Sequence, residues 1–356
     1  MRKKLLKSLI VLSLFTGIVM AGCSQNKKNI QCNLKHYENG KFKNLEADFK
    51  SDFKDFISNV WAVFTDTTKN KIPPKNAIPV VKLTKEDIIN MPDNSVVRLV
   101  HSTLLFKLDN KYILTDPVFS ETITPFPFVA PKRFHDLPIT IEQLPKIDVV
   151  IISHNHYDHL DEQSILKLKD KVEYFYTTLG VKQKLLDLGV NTMKVCELDW
   201  WQSCTANNLK ITATPAQHFS GRGLFDKNKT LWASWVITST KANLFFSGDS
   251  GYFNTFKKIG EKYGPFDMTF IEAGAYNERW KEIHMMPKQS VQANIDLKGK
   301  ILFPVHNSSF NLSIHPWNEP LNKVVEEAKK QNVTVTHPKM GEIIPLLSKK
   351  ETQKWW

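Results

Sequence analysis

The chain has 356 residues, enough for one large domain or two small ones, and its apolar fraction of 42% suits a globular protein with a sizeable core. A net charge of +12 invites a nucleic-acid reading, but no basic stripe with interleaved aromatics stands out. Dispersed lysines near an anionic membrane account for the charge better, and the absence of internal repeats and low-complexity tracts excludes a solenoid or a biased array.

Residues 1–22 read as a secretory signal. Arg2, Lys3, Lys4 and Lys7 give a positive start, residues 9–20 are an apolar run too short to span a bilayer comfortably, and Ala21-Gly22 are small. The stretch Val19-Met20-Ala21-Gly22-Cys23 resembles a bacterial lipobox, which implies an acylated Cys23 and an exported protein anchored to a membrane of the cell envelope. A plain signal peptide with Cys23 incidental is the alternative. Removing the signal lowers the net charge from +12 to +8. Cys32, Cys196 and Cys204 remain, an odd number without metal-ligand spacing. A Cys196–Cys204 bridge and free buried thiols are both open readings.

Residues 23–35 are polar and read as a tether. Residues 36–92 read as an N-terminal helical extension. Phe42, Leu45, Phe49, Phe53, Phe56, Ile57, Val60, Trp61 and Phe64 recur at helical spacing, and Pro73-Pro74 closes the run. Its apolar face packs on the core or meets a membrane. A domain over 93–348 follows. Strands are predicted over 95–100, 104–109, 111–115 and 147–152, then a helix over 160–168. Further strands are predicted over 209–214, 231–237, 243–246, 266–272 and 301–305. Strands alternating with helices, several strands ending in a polar residue, define an α/β domain whose strand ends carry the chemistry.

The run His154-Asn155-His156-Tyr157-Asp158-His159 follows a continuously apolar strand. Imidazoles and carboxylates are the ligands zinc takes outside sulfur sites, and a turn after a strand can aim alternate side chains at one point. His218, Asp249 and His306 each end a later apolar run, which raises the number of metal-type ligands to seven, a number that suits two metals. Each of these three taken singly has an ordinary structural reading: a hydrogen-bonded histidine, or a turn-forming aspartate.

The H-x-H-x-D-H run with spaced His, Asp and His resembles the metallo-β-lactamase superfamily. The resemblance implies an αββα sandwich with metals at one edge. It further implies one metal on His154, His156 and His218, a second on Asp158, His159 and His306, and Asp249 bridging them. Residues 152–161, 215–220, 231–235, 245–252 and 274–276, together with His101-Ser102-Thr103, residues 114–120, 131–134 and 40–44, are similar to the N-acyl-phosphatidylethanolamine phospholipase D family and its bacterial members. That likeness implies a metal-dependent phosphodiesterase. Its metal-bound hydroxide would cleave N-acyl-phosphatidylethanolamine-type phospholipids to phosphatidic acid and N-acylethanolamine. Asp158, Asp249 and His284 would be catalytic, His284 by touching phosphate or carrying a proton. From its place after a strand, Asp116 either holds a ligand imidazole from behind or forms the turn before Pro117, and His101 reads as structural or behind the ligands. Two zinc ions suit these ligands, with iron or manganese as alternatives.

The expected partners are a phospholipid or other ester and, through Cys23, a membrane; no nucleic acid is expected. A soluble ester, lactone or small phosphodiester, as in the ascorbate-6-phosphate lactonase branch, is the competing substrate class. Phe119, Phe126, Phe128, Trp200, Trp201 and Trp280 are available to line a lipid groove or to fill the core. Two positions depart from the family pattern: Val100 where Gly is usual, and Asn307-Ser308-Ser309 where Trp-Gly-Thr is usual.

Overall fold

The computed structural model describes residues 34–47, 58, 61–62, 65–124, 131–206, 208–223 and 225–356. The signal, Cys23, Cys32, most of the tether, six of the nine residues of the amphipathic run (Phe49, Phe53, Phe56, Ile57, Val60 and Phe64), Phe126 and Phe128 lie outside the described residues. Among described residues, those up to Lys43 form one unit and Asn44–Trp356 another.

The first unit is a hairpin of β1 (Tyr37–Glu38) and β2 (Lys41–Phe42) about Asn39-Gly40. Both turn residues have positive φ, 52° and 78°, the conformation a two-residue hairpin loop prefers and that Asn and Gly tolerate. This corrects one expectation of the sequence. Phe42 sits in a strand and does not open the amphipathic helix, because the Asn39-Gly40 turn commits its neighbours to pairing.

In the second unit, α1 (Lys85–Ile89) precedes β3 (Ser95–Val100), β4 (Thr103–Leu108) and β5 (Lys111–Thr115). The chain continues through β6 (Ile147–Ile151), α2 (Glu162–Leu168), β7 (Val172–Thr178), α3 (Lys182–Asp187) and β8 (Val195–Leu198). Next come β9 (Ser203–Ala206), β10 (Leu209–Thr214), β11 (Ser234–Thr238), β12 (Asn243–Phe246) and α4 (Thr255–Tyr263). The last elements are β13 (Met268–Glu272), α5 (Pro287–Asp296), β14 (Leu302–Val305), α6 (Glu319–Lys330) and β15 (Ile343–Pro345).

One sheet has the order β15-β3-β4-β5-β6-β7-β8 and the other β14-β13-β12-β11-β10-β9. The alternation of β4 and β13 shows how they stack. Leu105 and Ile271 belong to the clusters beneath the helices, whereas Phe106 and Phe270, their neighbours in sequence, meet edge to face at 5.0 Å between the sheets. Ile88 of α1, Ile165 and Leu168 of α2 and Leu185 of α3 cover the first sheet. Phe256 and Ile259 of α4, Val291 of α5 and Val324 of α6 cover the second. The result is the αββα sandwich. Cys196 of β8 and Cys204 of β9 form a disulfide that joins the edge strands of the two sheets, which decides between the two readings of these thiols. Residues 78–91, part of the expected N-terminal extension, contribute Leu83, Ile88 and Met91 to the core of this unit.

Topology places the site. In the first sheet β5, β6 and β7 run parallel, and β3 runs with β5 because β4 is antiparallel to both. In the second, β12, β13 and β14 run parallel, and β10 runs with β12 through the antiparallel β11. The C-terminal ends of β3, β5 and β6 therefore share one edge of their sheet. Those of β10, β12, β13 and β14 share one edge of theirs. His101, Asp116, residues 154–159, His218, Asp249, Glu272 and His306 all follow or end these strands.

Candidate metal centre

The loop after β6 is organised by one buried carboxylate at the end of β5. Asp116 Oδ1 accepts the Ser153 N–H at 2.7 Å, and its Oδ2 accepts the Ser153 hydroxyl and the His159 Nδ1–H, each at 2.6 Å. With its proton committed to Asp116, the Ser153 oxygen accepts from His154 Nδ1 at 2.9 Å. Asp116 thus fixes two imidazoles, one directly and one through a serine, leaving His154 Nε2 as a bare lone pair and turning His159 Nε2 toward Asp249. Gly248 lets the next strand end come this close. Its φ is +55°, and a Cβ there would lie 2.7 Å from that of Ser153.

Two groups of ligand atoms converge. In the first, His154 Nε2 and His218 Nε2 stand 2.8 and 3.3 Å from His156 Nδ1. The His218 Nδ1–H donates to the Ile283 carbonyl at 2.9 Å, so its Nε2 also offers a lone pair. In the second, His306 Nε2 lies 3.2 Å from Asp158 Oδ2 and 3.0 Å from Asp249 Oδ2, and His159 Nε2 lies 3.1 Å from the same Asp249 oxygen. That oxygen is also 3.8 Å from His218 Nε2, which puts Asp249 between the groups. His101 belongs to the second group: its Nε2 is 3.4 Å from Asp158 Oδ2 and its ring is 3.9 Å from that of His306.

The electrostatics of the groups differ. Burial, reinforced by the surrounding imidazoles, holds His154 and His218 well below the ordinary histidine range, and burial brings His156 down to about 4. Burial also works against charge on His159 and His306, but carboxylates outweigh it there. Asp249, Asp158 and Asp116 hold His159 well above its ordinary range, and Asp249 with Asp158 pushes His306 up to about 9.

The cluster fits a cation on its own chemistry. Buried His159 Nε2 and Asp249 Oδ1 have no hydrogen-bond partner, and three neutral imidazoles aim lone pairs at one another. Such an arrangement is repulsive unless a positive charge sits among the lone pairs. Buried Asp116 and Asp249 and half-buried Asp158 stand among or behind these imidazoles, and carboxylates beside imidazoles suit divalent ions.

A cavity of about 290 Å³ opens onto this cluster. Its lining combines His156, Asp158, Asp249, His284 and His306 with the apolar Phe219, Ala275, Trp280, Ile283 and Leu312. Of the aromatics that the sequence offered for a lipid groove and that lie among the described residues, only Trp280 lines the cavity. Phe119 and Trp200 are buried in the core, and Trp201 stacks beside Tyr263.

His284 is at the cavity, its Nδ1 3.2 Å from Oε2 of Glu272. Glu272 is fully buried, and its Oε1 accepts the Met285 N–H at 2.6 Å. Sequence reasoning passed over this carboxylate. Its signal was the one that marked Asp249: an acidic residue closing an apolar strand, here Met268-Thr-Phe-Ile-Glu272. Arg98 was also passed over. Its buried guanidinium donates to the His101 carbonyl at 3.0 Å and to the side chain and carbonyl of Asn307 at 3.1 and 2.5 Å. It ties together the turns bearing His101 and His306, the two places where the chain departs from the family pattern.

Residues 111–307 match the model of the β-lactamase superfamily domain. The chain belongs to the metallo-β-lactamase superfamily. An uncharacterised protein of Mycobacterium tuberculosis is 36% identical over 329 residues, 90% of this chain and 87% of that protein. An N-acyl-phosphatidylethanolamine-hydrolyzing phospholipase D of Caenorhabditis elegans is 30% identical over 313 residues, 82% of this chain and 88% of that enzyme. Among solved structures, the metallo hydrolase Igni18 of Ignicoccus hospitalis shares the fold with a TM-score of 0.54 at 20% identity, covering 70% of this chain and 97% of that one. As a member of the metallo-β-lactamase superfamily the protein is a metal-dependent hydrolase, and the fold, family and enzyme class expected from the sequence stand. Among the described residues no helix is long and apolar enough to cross a membrane.

Proposed function

We propose that the protein is a dinuclear-metal phosphodiesterase that cleaves N-acyl-phosphatidylethanolamine-type phospholipids to phosphatidic acid and N-acylethanolamine. The observation that carries this reading is the cavity whose lining joins the candidate metal ligands to apolar side chains, a composition suited to an amphiphilic phosphodiester. The 30% identity with the nematode phospholipase D supports it. His154, His156 and His218 would hold one ion, Asp158, His159 and His306 the other, and Asp249 would serve both. Zinc suits this donor set, with iron or manganese as the alternatives that elemental analysis distinguishes. Two such ions supply an activated water and neutralise charge on the phosphoryl oxygens.

The chain's own residues do the rest. Asp116 orients His159 directly and His154 through Ser153. Phe219, Trp280, Ile283 and Leu312 take the apolar part of the substrate and keep bulk water from the reacting phosphorus. His284, held at Nδ1 by Glu272, presents its other nitrogen to the cavity, where it contacts the phosphate or hands a proton to the leaving ethanolamine oxygen. Acylation of Cys23 would tether the enzyme to a membrane of the cell envelope, beside such a substrate; mass spectrometry of the mature protein detects or excludes the acyl chains.

The test is product analysis with N-acyl-phosphatidylethanolamine in mixed vesicles, run beside soluble phosphodiesters, esters and lactones, with Asp158→Ala as the inactive control. Release of phosphatidic acid by the wild type alone supports the reading. Turnover of a soluble lactone or ester with none of the phospholipid overturns it in favour of the ascorbate-6-phosphate lactonase-like alternative.

A further inference from the structure

The loop that carries His218 lies beyond the end of β10, so the His218 main chain has no strand to pair with. A buried peptide group in that position needs a partner from elsewhere. Asn44, 174 residues away in sequence, supplies one with both ends of its side-chain amide. The His218 N–H donates to Asn44 Oδ1 at 3.0 Å, and Asn44 Nδ2 donates to the His218 carbonyl at 2.9 Å. The Trp232 indole N–H reaches the same Oδ1 at 3.0 Å. The pairing imitates a neighbouring strand and specifies the residue type. Aspartate has no donor for the carbonyl, leucine has neither group, and glutamine is a methylene too long. With the ring fixed separately by the Ile283 carbonyl, both the backbone and the imidazole of this ligand are held in place.

Two residues on, Glu46 provides a second anchor that leaves the cluster untouched. Its Oε2 accepts the Asn254 N–H at 2.9 Å and its Oε1 the Thr255 N–H at 2.9 Å, which caps α4. The segment over 44–46 is therefore pinned to a candidate metal ligand at one end and to a helix at the other.

We propose that Asn44 is a positioning residue for the ion held by His154, His156 and His218, and that docking of the segment over 44–46 is thermodynamically linked to occupancy of that group. Segment docking holds His218 in ligating pose; a bound ion, by holding His218, stabilises the docked segment to the same degree. The proposal rests on the two-metal part of the function proposed above and is independent of the substrate.

The test uses the full chain with zinc and cobalt(II) as probes. Asn44→Ala is expected to weaken the first ion by about ten- to a hundred-fold in a chelator competition and to alter the cobalt absorption spectrum. Asn44→Asp, which keeps the acceptor for the His218 N–H, is expected to recover part of the affinity. Glu46→Gln, which loosens the segment without touching His218, is expected to lower thermal stability and to weaken zinc by less than Asn44→Ala does, with the cobalt spectrum unchanged. In the wild type, zinc is expected to slow hydrogen exchange at His218 and over 44–46. Unchanged affinity and spectrum in a folded Asn44→Ala protein overturn the proposal. So does wild-type exchange over 44–46 that is identical with and without zinc, a measurement that needs no variant to fold. A wild type that binds no metal at all sinks the metal-centre reading itself, whereas two ions bound with equal affinity by wild type and Asn44→Ala sink only the role of Asn44.

Discussion

His154, His156 and His218 face mainly one another, whereas His159 and His306, a few ångströms away, each meet the carboxylates of Asp158 and Asp249. Without a metal, the same side chain is driven toward the neutral form in the first group and toward the charged form in the second. The cause is local: burial disfavours an imidazolium in both places, and only carboxylates within about 3–4 Å reverse it. The first group is ready to ligate at any pH above its low pKa values. The second must release protons before it can.

The largest way to break this contrast is to remove the residue the groups share. Asp249→Ala is expected to abolish hydrolysis, a loss on the order of 10³-fold or more, and to lower bound metal from two ions to one or none. Elemental analysis that still finds two ions would refute a shared role for Asp249. Asp116→Asn comes next, because it removes the acceptor that orients His159 directly and His154 through Ser153. Metal affinity should fall about ten- to a hundred-fold. An unchanged chelator titration would show that the ring orientations are set elsewhere.

Glu272→Gln is expected to retain bound metal and to lower kcat about ten-fold, because it loosens His284, the imidazole that Glu272 holds. Loss of metal, or no change in kcat, would count against that assignment.

Proton linkage sharpens the contrast in the chelated, metal-free protein. His306, raised to about 9, contributes stability that is fully present below its unfolded value near 6.5 and lost as pH rises through about 9. His156, lowered to about 4, has the opposite sign: its contribution is full above about 6.5 and lost as pH falls through about 4. Denaturant titrations of His306→Ala against wild type should show a difference that shrinks at alkaline pH to the pH-independent cost of the lost packing. The His156→Ala difference should shrink in acid. For the same reason the second ion should bind more weakly as pH falls below about 9. A pH-independent difference in either variant would contradict the opposed protonation states.

The smallest effect on the site is expected from Cys196→Ser. The bridge closes a separation of eight residues between two edge strands, a constraint worth about 2 kcal/mol in the unfolded chain. The melting temperature should drop while metal content and turnover stay as in the wild type. A loss of metal would mean that the sheet edges at β8 and β9 communicate with the cluster.

The sequence by itself determined the chemistry that lies close along the chain and the elements with a clear period. The run 154–159 follows a strand buried between parallel neighbours. Its density of imidazole and carboxylate has no packing explanation, so it was legible without a fold. His218, Asp249 and His306 were legible as strand-end residues because apolar runs ended on them, and the grouping of all seven followed from the family resemblance. The tertiary structure decided what spacing does not encode. It set which strand ends share an edge, through the antiparallel β4 and β11 that return the chain to the same side. It paired Cys196 with Cys204, placed Glu272 behind His284 and Arg98 between the His101 and His306 turns, and brought Asn44 to the backbone of His218. Each of these is a single polar side chain meeting a partner far away in sequence. No periodicity marks such a pair; only the folded chain, with its requirement that buried polar groups find partners, selects it.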